Sequence, residues 1–241
     1  MALTDNLISY WKLDEASGNA TDSHGSNTLS DNNSVGTGTG IINGARDFES
    51  GSSQYLSHAD NSDLSVTDQD FTFAAWIKLE SNAGPVQTII SKGEVASGEY
   101  VLGVSEATDL QAYIQVYSAG FTHGSQRALT FGVLATGVWY FVVGWHDAVN
   151  NILGISVNDT ADTGAYSTGS YDGTGIFHIG SFENYGNFFD GLIDEVGFWK
   201  RVLTSGERTQ LYNAGAGLAY PFSGGGGTVI PVFMNQYRQR R

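Results

Sequence analysis

The sequence contains no cysteine, only 3 prolines among 241 residues, and few charged side chains, 15% of the total. Without cysteine, neither a disulfide nor a thiolate metal site can stabilise the fold, so stability depends on a large core or on an ion held by oxygen ligands. The low proline and charge content, together with 32 glycines, indicates many tight turns and few surface helices. Hydrophobic residues make up 41% and aromatic residues 12%, which is enough to fill one large β core.

Long apolar segments are also missing. No run approaches the roughly 18 residues that suggest a membrane-spanning helix. The N-terminus, MALTDNLISYWKLDE, lacks the basic and apolar regions of a signal peptide. The sequence therefore predicts a soluble chain without membrane insertion and without a Sec-type export signal.

Positive charge is scarce and unevenly placed. The formal net charge is -14, and residues 228–241 contain three arginines and no acid, so residues 1–227 carry -17. An acidic body of this kind repels nucleic acid and anionic membranes. Its simplest interpretation is a solvated surface, and we expect no nucleic-acid partner.

Alternation of apolar and polar residues dominates from about residue 70 onward. In FTFAAWIKLE, five apolar side chains share one face: Phe71, Phe73, Ala75, Ile77 and Leu79. Similar runs follow between clusters of Gly, Asn, Asp and Ser: EYVLGVSE, LQAYIQVYS, VWYFVVGW, ILGISVND and GIFHIGSF. Many short strands with regular turns predict an all-β sandwich or barrel.

One helix is predicted, after Leu203. In TSGERTQLYNAG, Thr204 is the candidate N-cap, Glu207 completes a capping box, and Gly215 provides the C-terminal stop. Beyond the helix, residues 223–227 read SGGGG and are predicted to form a flexible linker. Residues 228–241 then form a separate arm that is apolar first and basic last.

Four segments together resemble the laminin-G-like, concanavalin A-like lectin jelly-roll superfamily, in its version with pentraxin-like motifs. In chain order they are LISYWKLDEASGNATDSHGSN, INGARDFESGSSQYLSH, DFTFAAWIKLES and FDGLIDEVGFWKRVLTSGERTQLYNAG, over about residues 7–215. The resemblance implies a two-sheet antiparallel jelly-roll domain over residues 1–222, with one short C-terminal α-helix. Members are mostly binding modules, so it also implies adhesion or glycan recognition. The chain departs from the family pattern at Glu49, Ser50 and Gly197.

Two adjacent carboxylates, Asp194 and Glu195, lie in the last predicted strand, FFDGLIDEVGFW. Neighbouring side chains of a regular strand point to opposite faces, so the pattern predicts that this pair cannot hold one substrate. Asp194 shares parity with Leu192, Val196 and Phe198, which predicts that it faces the sandwich interior or its rim while Glu195 faces outward. The chain also lacks the Glu-x-Asp, His-Glu-x-x-His and Gly-x-Ser-x-Gly patterns of hydrolases. We therefore predict a protein that is not an enzyme and has no catalytic residues.

A buried Asp194 needs hydrogen-bond donors or a cation, because an unpaired buried charge is costly. Backbone N–H groups or Arg201 are one set of partners, and Ca²⁺, which prefers carboxylate and amide oxygens, is the other. The family resemblance implies a structural calcium ion between the opening loop and the last strand. Its matching residues are Asp22, Asn27 and Asp194.

The strand LQAYIQVYS carries a candidate carbohydrate-binding row. Opposite its core-facing residues lie two amides and two phenols: Gln111, Tyr113, Gln115 and Tyr117. Phenol rings stack on sugar faces and amides hydrogen-bond sugar hydroxyls. The alternative is an ordinary exposed sheet face, or one packed on a neighbouring subunit.

The arm combines an apolar cluster with arginines, which favours docking onto a partner. The candidate docking residues are Val229, Ile230, Val232, Phe233, Met234, Tyr237, Arg238, Arg240 and Arg241. The alternative is an arm that packs back onto its own acidic body.

A surface-type module without an export signal and with a docking arm is typical of a bacteriophage virion protein, released by lysis. The resulting hypothesis is a non-enzymatic decoration or adhesion protein on the virion surface, present in multiple copies. Its arm would bind capsid or tail proteins, and its lectin-like domain would bind cell-surface glycans. The alternatives are a polysaccharide-degrading jelly-roll enzyme, an architectural cement protein without glycan binding, and an extracellular or bacterial cell-surface location.

Overall fold

The computed structural model describes residues 1–82, 86–93, 98–105, 109–119, 122–182 and 186–222, so the predicted linker and arm lie outside the described residues. Over these ranges the chain is almost entirely strand and loop, and none of its helices is long and apolar enough to cross a membrane. The strands are β1 (Leu7–Trp11), β2 (Ser30–Asn32), β3 (Gly36–Thr39), β4 (Gly44–Phe48), β5 (Tyr55–His58), β6 (Phe71–Leu79), β7 (Gln87–Lys92), β8 (Tyr100–Val104), β9 (Ala112–Tyr117), β10 (His123–Arg127), β11 (Trp139–Asp147), β12 (Ile152–Val157), β13 (Thr160–Ala165), β14 (Phe177–Ile179) and β15 (Gly191–Trp199). The helices are α1 (Ser205–Tyr212) and two 3₁₀ turns, Ser50–Ser52 and Asn213–Gly215.

The strands form two antiparallel sheets. The first sheet has the order β13-β12-β11-β6-β15-β4-β3, and β4 and β1 pair with successive parts of β15. The second sheet has the order β10-β9-β8-β7-β14-β5-β2. The five alternating residues of FTFAAWIKLE are all buried in the main core. The predicted all-β, two-sheet class is confirmed, and the architecture is consistent with a jelly-roll sandwich.

A second apolar cluster, here called the outer cluster, covers the outer face of the first sheet. It joins side chains of the N-terminal segment, β1, β6, β11, β15, α1 and the loop before α1: Leu3, Leu7, Tyr10, Ala74, Trp76, Phe141, Val143, Trp145, Trp199, Leu203 and Leu211. Tyr220 and Phe222 extend the cluster by packing on Tyr10, with ring centroids 4.9 Å and 5.2 Å away. The strands β6, β11, β15 and β1 of the first sheet are therefore covered on both faces.

Helix α1 begins as the sequence predicts and ends earlier. The Thr204 hydroxyl accepts the Glu207 N–H at 3.2 Å, and the Glu207 carboxylate accepts the Thr204 N–H at 2.8 Å, so the capping box is confirmed. The helix ends at Tyr212 because Asn213 adopts the left-handed conformation. Gly215, the predicted stop, instead ends the following 3₁₀ turn.

Strand β15 contains a β-bulge that the alternation pattern does not reveal. Asp194 and Gly197 are three residues apart, whereas their partners on β6 are only two residues apart. Glu195, inside this interval, has a φ of 48°, which is the left-handed region. One extra residue is therefore inserted into β15, and the regular alternation of its side chains is broken.

The bulge places both carboxylates on the outer face of the first sheet. Asp194 pairs with Trp76 and Glu195 accepts a hydrogen bond from Tyr10, and both aromatic residues belong to the outer cluster. Val196 then returns to the main core. The predictions that Asp194 shares the interior face with Val196, that Glu195 lies on the opposite face, and that Glu195 is solvent-facing are therefore wrong; Glu195 is only 3% exposed.

Gly197 allows the outer cluster to close over β15. A Cβ atom at this position would lie 2.3 Å from the Trp199 ring and 3.1 Å from the Tyr10 ring. Neither ring can move freely, because both are buried. This departure from the family pattern therefore has a packing reason.

We predict that Gly197→Ala lowers the free energy of unfolding by about 1–3 kcal/mol, because the added methyl group overpacks the cluster. Urea denaturation measures the change. The control is Gly206→Ala in α1, where a Cβ atom meets nothing within 4 Å; it is expected to leave stability unchanged or raise it by up to about 1 kcal/mol. Equal stability of the two variants would contradict the packing argument.

Candidate functional site

A cleft of about 390 Å³ lies on the outer face of the second sheet, at its β14-β5-β2 end. Leu56 of β5 and Phe177 and Ile179 of β14 point into the main core. Their neighbours along the two strands, Tyr55, Ser57 and His178, therefore point outward into the cleft. The cleft is lined by Asn32, Tyr55, Ser57, Ile176, His178, Ser181, Phe182, Gly186 and Phe188.

Aromatic rings form one wall of the cleft. The Tyr55 ring centroid lies 5.2 Å from that of His178 in an edge-to-face arrangement at 78°. It lies 6.3 Å from that of Phe188, with the two rings tilted by 35°. Tyr55 and Phe188 are both half-buried, so part of each ring faces solvent. Such rings offer flat apolar surface to a ligand.

The polar groups of the cleft are few and uncharged. The Asn32 amide donates a hydrogen bond to the Ser57 hydroxyl at 2.9 Å. The Ser181 carbonyl accepts a hydrogen bond from Ser91 at 2.7 Å, which fixes the backbone at the edge of the cleft. No Lys, Arg, Asp or Glu side chain is among the described residues that line it.

His178 is the unusual member of this lining. His178 lies in the middle of β14 and is only 3% exposed. Its Nδ1 atom finds no hydrogen-bond partner among the described residues. Burial lowers the pKa of His178 to about 4, so the ring is neutral at physiological pH.

The row predicted on β9 lies on the same outer face as the cleft. Ala112, Ile114 and Val116 point into the main core, as expected. Of the predicted row, Gln111, Gln115 and Tyr117 are half-buried and Tyr113 is buried. Carbohydrate binding by these four residues stays a prediction.

Phe182 connects the β9 row to the cleft. Its ring lies 6.3 Å from that of Tyr117 in a stacked arrangement at 27°, and it packs with Val101 and Tyr113 in a small cluster on this face. Because Phe182 also lines the cleft, the row and the cleft form one continuous surface.

The residues predicted to bind calcium are held by protein donors instead. The Asp22 Oδ1 atom accepts the N–H groups of Tyr10, His24 and Gly25 at 2.9–3.0 Å, and its Oδ2 atom accepts that of Asn27 at 3.0 Å. Burial alone would raise the pKa of Asp22, but these four donors together lower it below its usual value. Four hydrogen atoms therefore point at the oxygens that a cation would need.

Asn27 is equally committed to protein partners. Its amide nitrogen donates to the Ser9 hydroxyl and its amide oxygen accepts from Asn61, both at 2.8 Å. Together with the donors around Asp22, these contacts do not fit a calcium ion shared by Asp22, Asn27 and Asp194. Asp22 itself ties the opening loop to β1 through the Tyr10 N–H.

Asp194 has backbone partners, as the alternative to calcium predicts. Its Oδ2 atom accepts the N–H groups of Ile41 and Ile42 at 2.8 Å and 3.1 Å. Arg201, the other protein partner considered, does not contact Asp194; it forms a two-pronged ion pair with Glu207, with both N–O distances at 2.8 Å. The Arg201 prediction is therefore wrong.

The two carboxyls on the bulge each keep one buried oxygen without a partner among the described residues, Oδ1 of Asp194 and Oε1 of Glu195. Burial, and then the charge of Glu195, raises the pKa of Asp194 to about 8 despite its two N–H donors. Burial raises the pKa of Glu195 to about 7, although its hydrogen bond from Tyr10 lowers it. Asp194 is therefore mainly protonated at pH 7.

We predict that these two carboxyls make the protein less stable as the pH rises. Their folded-state pKa values lie above the ordinary values of about 4, so their contribution is fully present below pH 4 and is lost as the pH rises through 7 and 8. The double variant Asp194→Asn, Glu195→Gln should flatten the fall in melting temperature between pH 5 and pH 9. Asp63→Asn, an exposed control, should follow the wild-type curve. Parallel curves for the double variant and the wild type would contradict the assignment.

Three other carboxylates come together at the ends of β4 and β6. Oxygen atoms of Asp47, Glu49 and Glu80 lie within 4.8 Å of one another. Burial, and then the charges of Asp47 and Glu49, raises the pKa of Glu80. Glu49 and Glu80 are exposed to solvent, and we assign no ion to this cluster.

A sequence comparison identifies the family. The profile of the concanavalin A-like lectin/glucanases superfamily, in its Laminin_G_3 form, matches residues 50–207. The chain belongs to this superfamily. The match confirms the resemblance drawn from the four motifs, whereas no comparison bears on a virion origin. A comparison with curated protein sequences finds no match.

Solved structures similar to this superfamily member include two toxin binding domains. The binding domain of Paraclostridial Mosquitocidal Protein 1 is 14% identical with a TM-score of 0.68, over 87% of this chain and 52% of that one. The binding domain of Botulinum neurotoxin DC, solved with rat synaptotagmin II, is 15% identical with a TM-score of 0.68, over 87% and 52%. The superfamily member thus spans about half the length of these toxin domains.

A third similar structure matches along almost its whole length. Domain 4 of AbnA, a GH43 extracellular arabinanase from Geobacillus stearothermophilus, was solved in complex with arabinotriose. It is 17% identical with a TM-score of 0.64, over 85% of this chain and 97% of that one. At these identities the likeness shows the shared fold alone.

Sequence reasoning missed the cleft. Tyr55, His178 and Phe188 are distant in the chain and meet only because β14 pairs with β5. A partial signal was present: in GIFHIGSF, the polar His178 stands between two core residues, which predicts that it points outward. Nothing in the sequence indicates that Tyr55 faces the same space.

Proposed function

We propose that the cleft binds a carbohydrate and that the protein is a non-catalytic, lectin-like binding module. The observation that carries the proposal is the pair of half-buried rings, Tyr55 and Phe188, beside the His178 ring in the lining of one cleft. A sugar presents an apolar ring face and a rim of hydroxyl groups. The aromatic wall suits the face, and His178, Asn32 and Ser57 suit the hydroxyls.

The shape of the cleft agrees with a small ligand. Its volume of about 390 Å³ lies within the range of about 300–1,000 Å³ that is usual for small-molecule sites. The β9 row adjoins the cleft through Phe182, and a longer saccharide chain would extend in this direction. The AbnA domain, which was solved with arabinotriose, lends support as a neighbour of the same fold.

Chemistry favours binding over cleavage. Glycoside hydrolysis needs two carboxyl groups about 5–10 Å apart across the sugar bond, and no carboxylate is among the described residues lining the cleft. The bulge pair, Asp194 and Glu195, lies on the other sheet beneath the outer cluster. The toxin neighbours are named as binding domains, which also favours a binding role.

We predict that Tyr55→Ala and Phe188→Ala each weaken binding at least tenfold, because each removes a ring from the aromatic wall. Arabinan and a panel of other polysaccharides serve as probes in affinity electrophoresis and calorimetry. Trp139→Ala is the matched control, since Trp139 is a half-buried aromatic residue on the first sheet. Binding that is equally sensitive to the Trp139 variant, or insensitive to both cleft variants, would place the site elsewhere.

The setting on a virion is a separate proposal, which rests on the sequence of residues 223–241. In that setting the arm holds many copies of the module on a capsid or tail, and multiple copies compensate for weak single-site affinity. The proposal is supported by the apolar and basic composition of residues 228–241. If no polysaccharide of the panel binds, an architectural role without glycan binding takes the place of adhesion.

We predict that a chain ending at Phe222 folds and binds carbohydrate as the full chain does, but does not attach to particles. All described residues of the main core and the outer cluster lie within residues 1–222, so the truncation removes none of them. Circular dichroism, the binding assay and co-sedimentation with particles measure the three properties. Full incorporation of the truncated chain would contradict the role of the arm.

A further inference from the structure

We infer that the cleft selects an uncharged sugar and that His178 hydrogen-bonds one of its hydroxyl groups. The inference rests on the proposed carbohydrate binding and goes beyond it by naming the ligand class and the residue that reads it. Three features of the chain carry it: the charge around the cleft, the orphaned ring nitrogen, and the rigid position of that ring.

The charges of the molecule disfavour an acidic sugar. Recognition of a carboxylate or sulfate usually uses Arg or Lys, and neither is among the described lining residues. Lys92, on the adjacent strand β7, does not serve, because its side chain is buried against Glu99 and Asp60. The net charge of -14 also repels anions from the surface as a whole.

The ring nitrogen of His178 lacks a partner that folded proteins normally provide. Buried polar atoms are hydrogen-bonded in the great majority of cases, whereas the Nδ1 atom of His178 has no partner among the described residues. Nδ1 itself has almost no accessible surface, so a ligand in the cleft meets the ring at Nε2, to which a sugar hydroxyl can donate or from which it can accept, whichever nitrogen carries the proton. A hydroxyl-bearing ligand therefore gives the ring a hydrogen bond without adding charge.

The position of His178 makes it suitable for selection. It lies on β14, between Ser57 of β5 and Ser91 of β7, so its backbone is fixed by neighbours on both sides. Its ring is further restrained by the edge-to-face contact with Tyr55. A hydrogen-bonding group on a rigid strand discriminates between ligands better than one on a loop.

The test compares neutral with acidic polysaccharides, namely galactan with polygalacturonate, and unsubstituted xylan with glucuronate-bearing xylan. Wild-type protein should bind at least one neutral member and bind the acidic members at least tenfold more weakly. His178→Ala should weaken neutral binding at least tenfold, and His178→Gln, which keeps a donor and an acceptor, should recover part of it. Melting temperatures establish that each variant is folded.

A second readout needs no variant. In wild-type protein with ¹⁵N-labelled histidine, the Nε2 resonance of His178 should shift when a neutral sugar that binds is added. The other four histidines, at positions 24, 58, 123 and 146, serve as internal references. A shift that saturates with binding supports the hydrogen bond even if the alanine variant is unstable.

The outcomes separate this inference from the proposed function. Equal or tighter binding of acidic sugars that still depends on Tyr55 and Phe188 would overturn the neutral class and leave carbohydrate binding intact. An unchanged His178 resonance together with normal binding by the alanine variant would overturn the role of His178 alone. Absence of binding to every polysaccharide would overturn the proposed function, and this inference with it.

Discussion

Strand β15 is buried on both faces, and this constraint shapes the rest of the molecule. It pairs with β6 on one side and with β4 and β1 on the other. The first and the last strand of the described chain are therefore neighbours in the first sheet. The main core covers one of its faces and the outer cluster covers the other. Any polar group on β15 must therefore find a partner inside the protein or remain neutral, which is what the two N–H donors and the raised pKa of Asp194 reflect.

The outer cluster covers the first sheet, whereas the cleft opens on the outer face of the second sheet. Helix α1, the N-terminal segment and residues 218–222 pack on the outer face of the first sheet, with Tyr220 stacked on Tyr10 and Phe222 edge-to-face with it. The outer face of the second sheet has no helix over it among the described residues. Its half-buried aromatic rings and its cleft remain accessible to solvent, so the two outer faces of the sandwich differ.

Features set by local periodicity could be predicted from the sequence. The alternation of β6 and β9 correctly identified their core-facing residues, because both strands are regular along the stretches used. The capping box of α1 was predictable because it involves residues three apart. The bulge was not: Asp194 and Glu195 look like neighbours in an ordinary strand, and only the pairing with β6 shows the extra residue. The donors around Asp22 were equally hidden, since they are backbone groups of a folded loop.

The all-β class, the superfamily, the regular core strands and the lack of hydrolase motifs can be read from residue types at short spacings. Tertiary structure alone decided which carboxylates are buried together, which donors hold Asp22 and Asp194, and where the cleft lies. The physical reason is that these features depend on strand pairing between distant segments. His178 and Tyr55 are separated by more than half of the chain, yet they face the same space because β14 and β5 share hydrogen bonds.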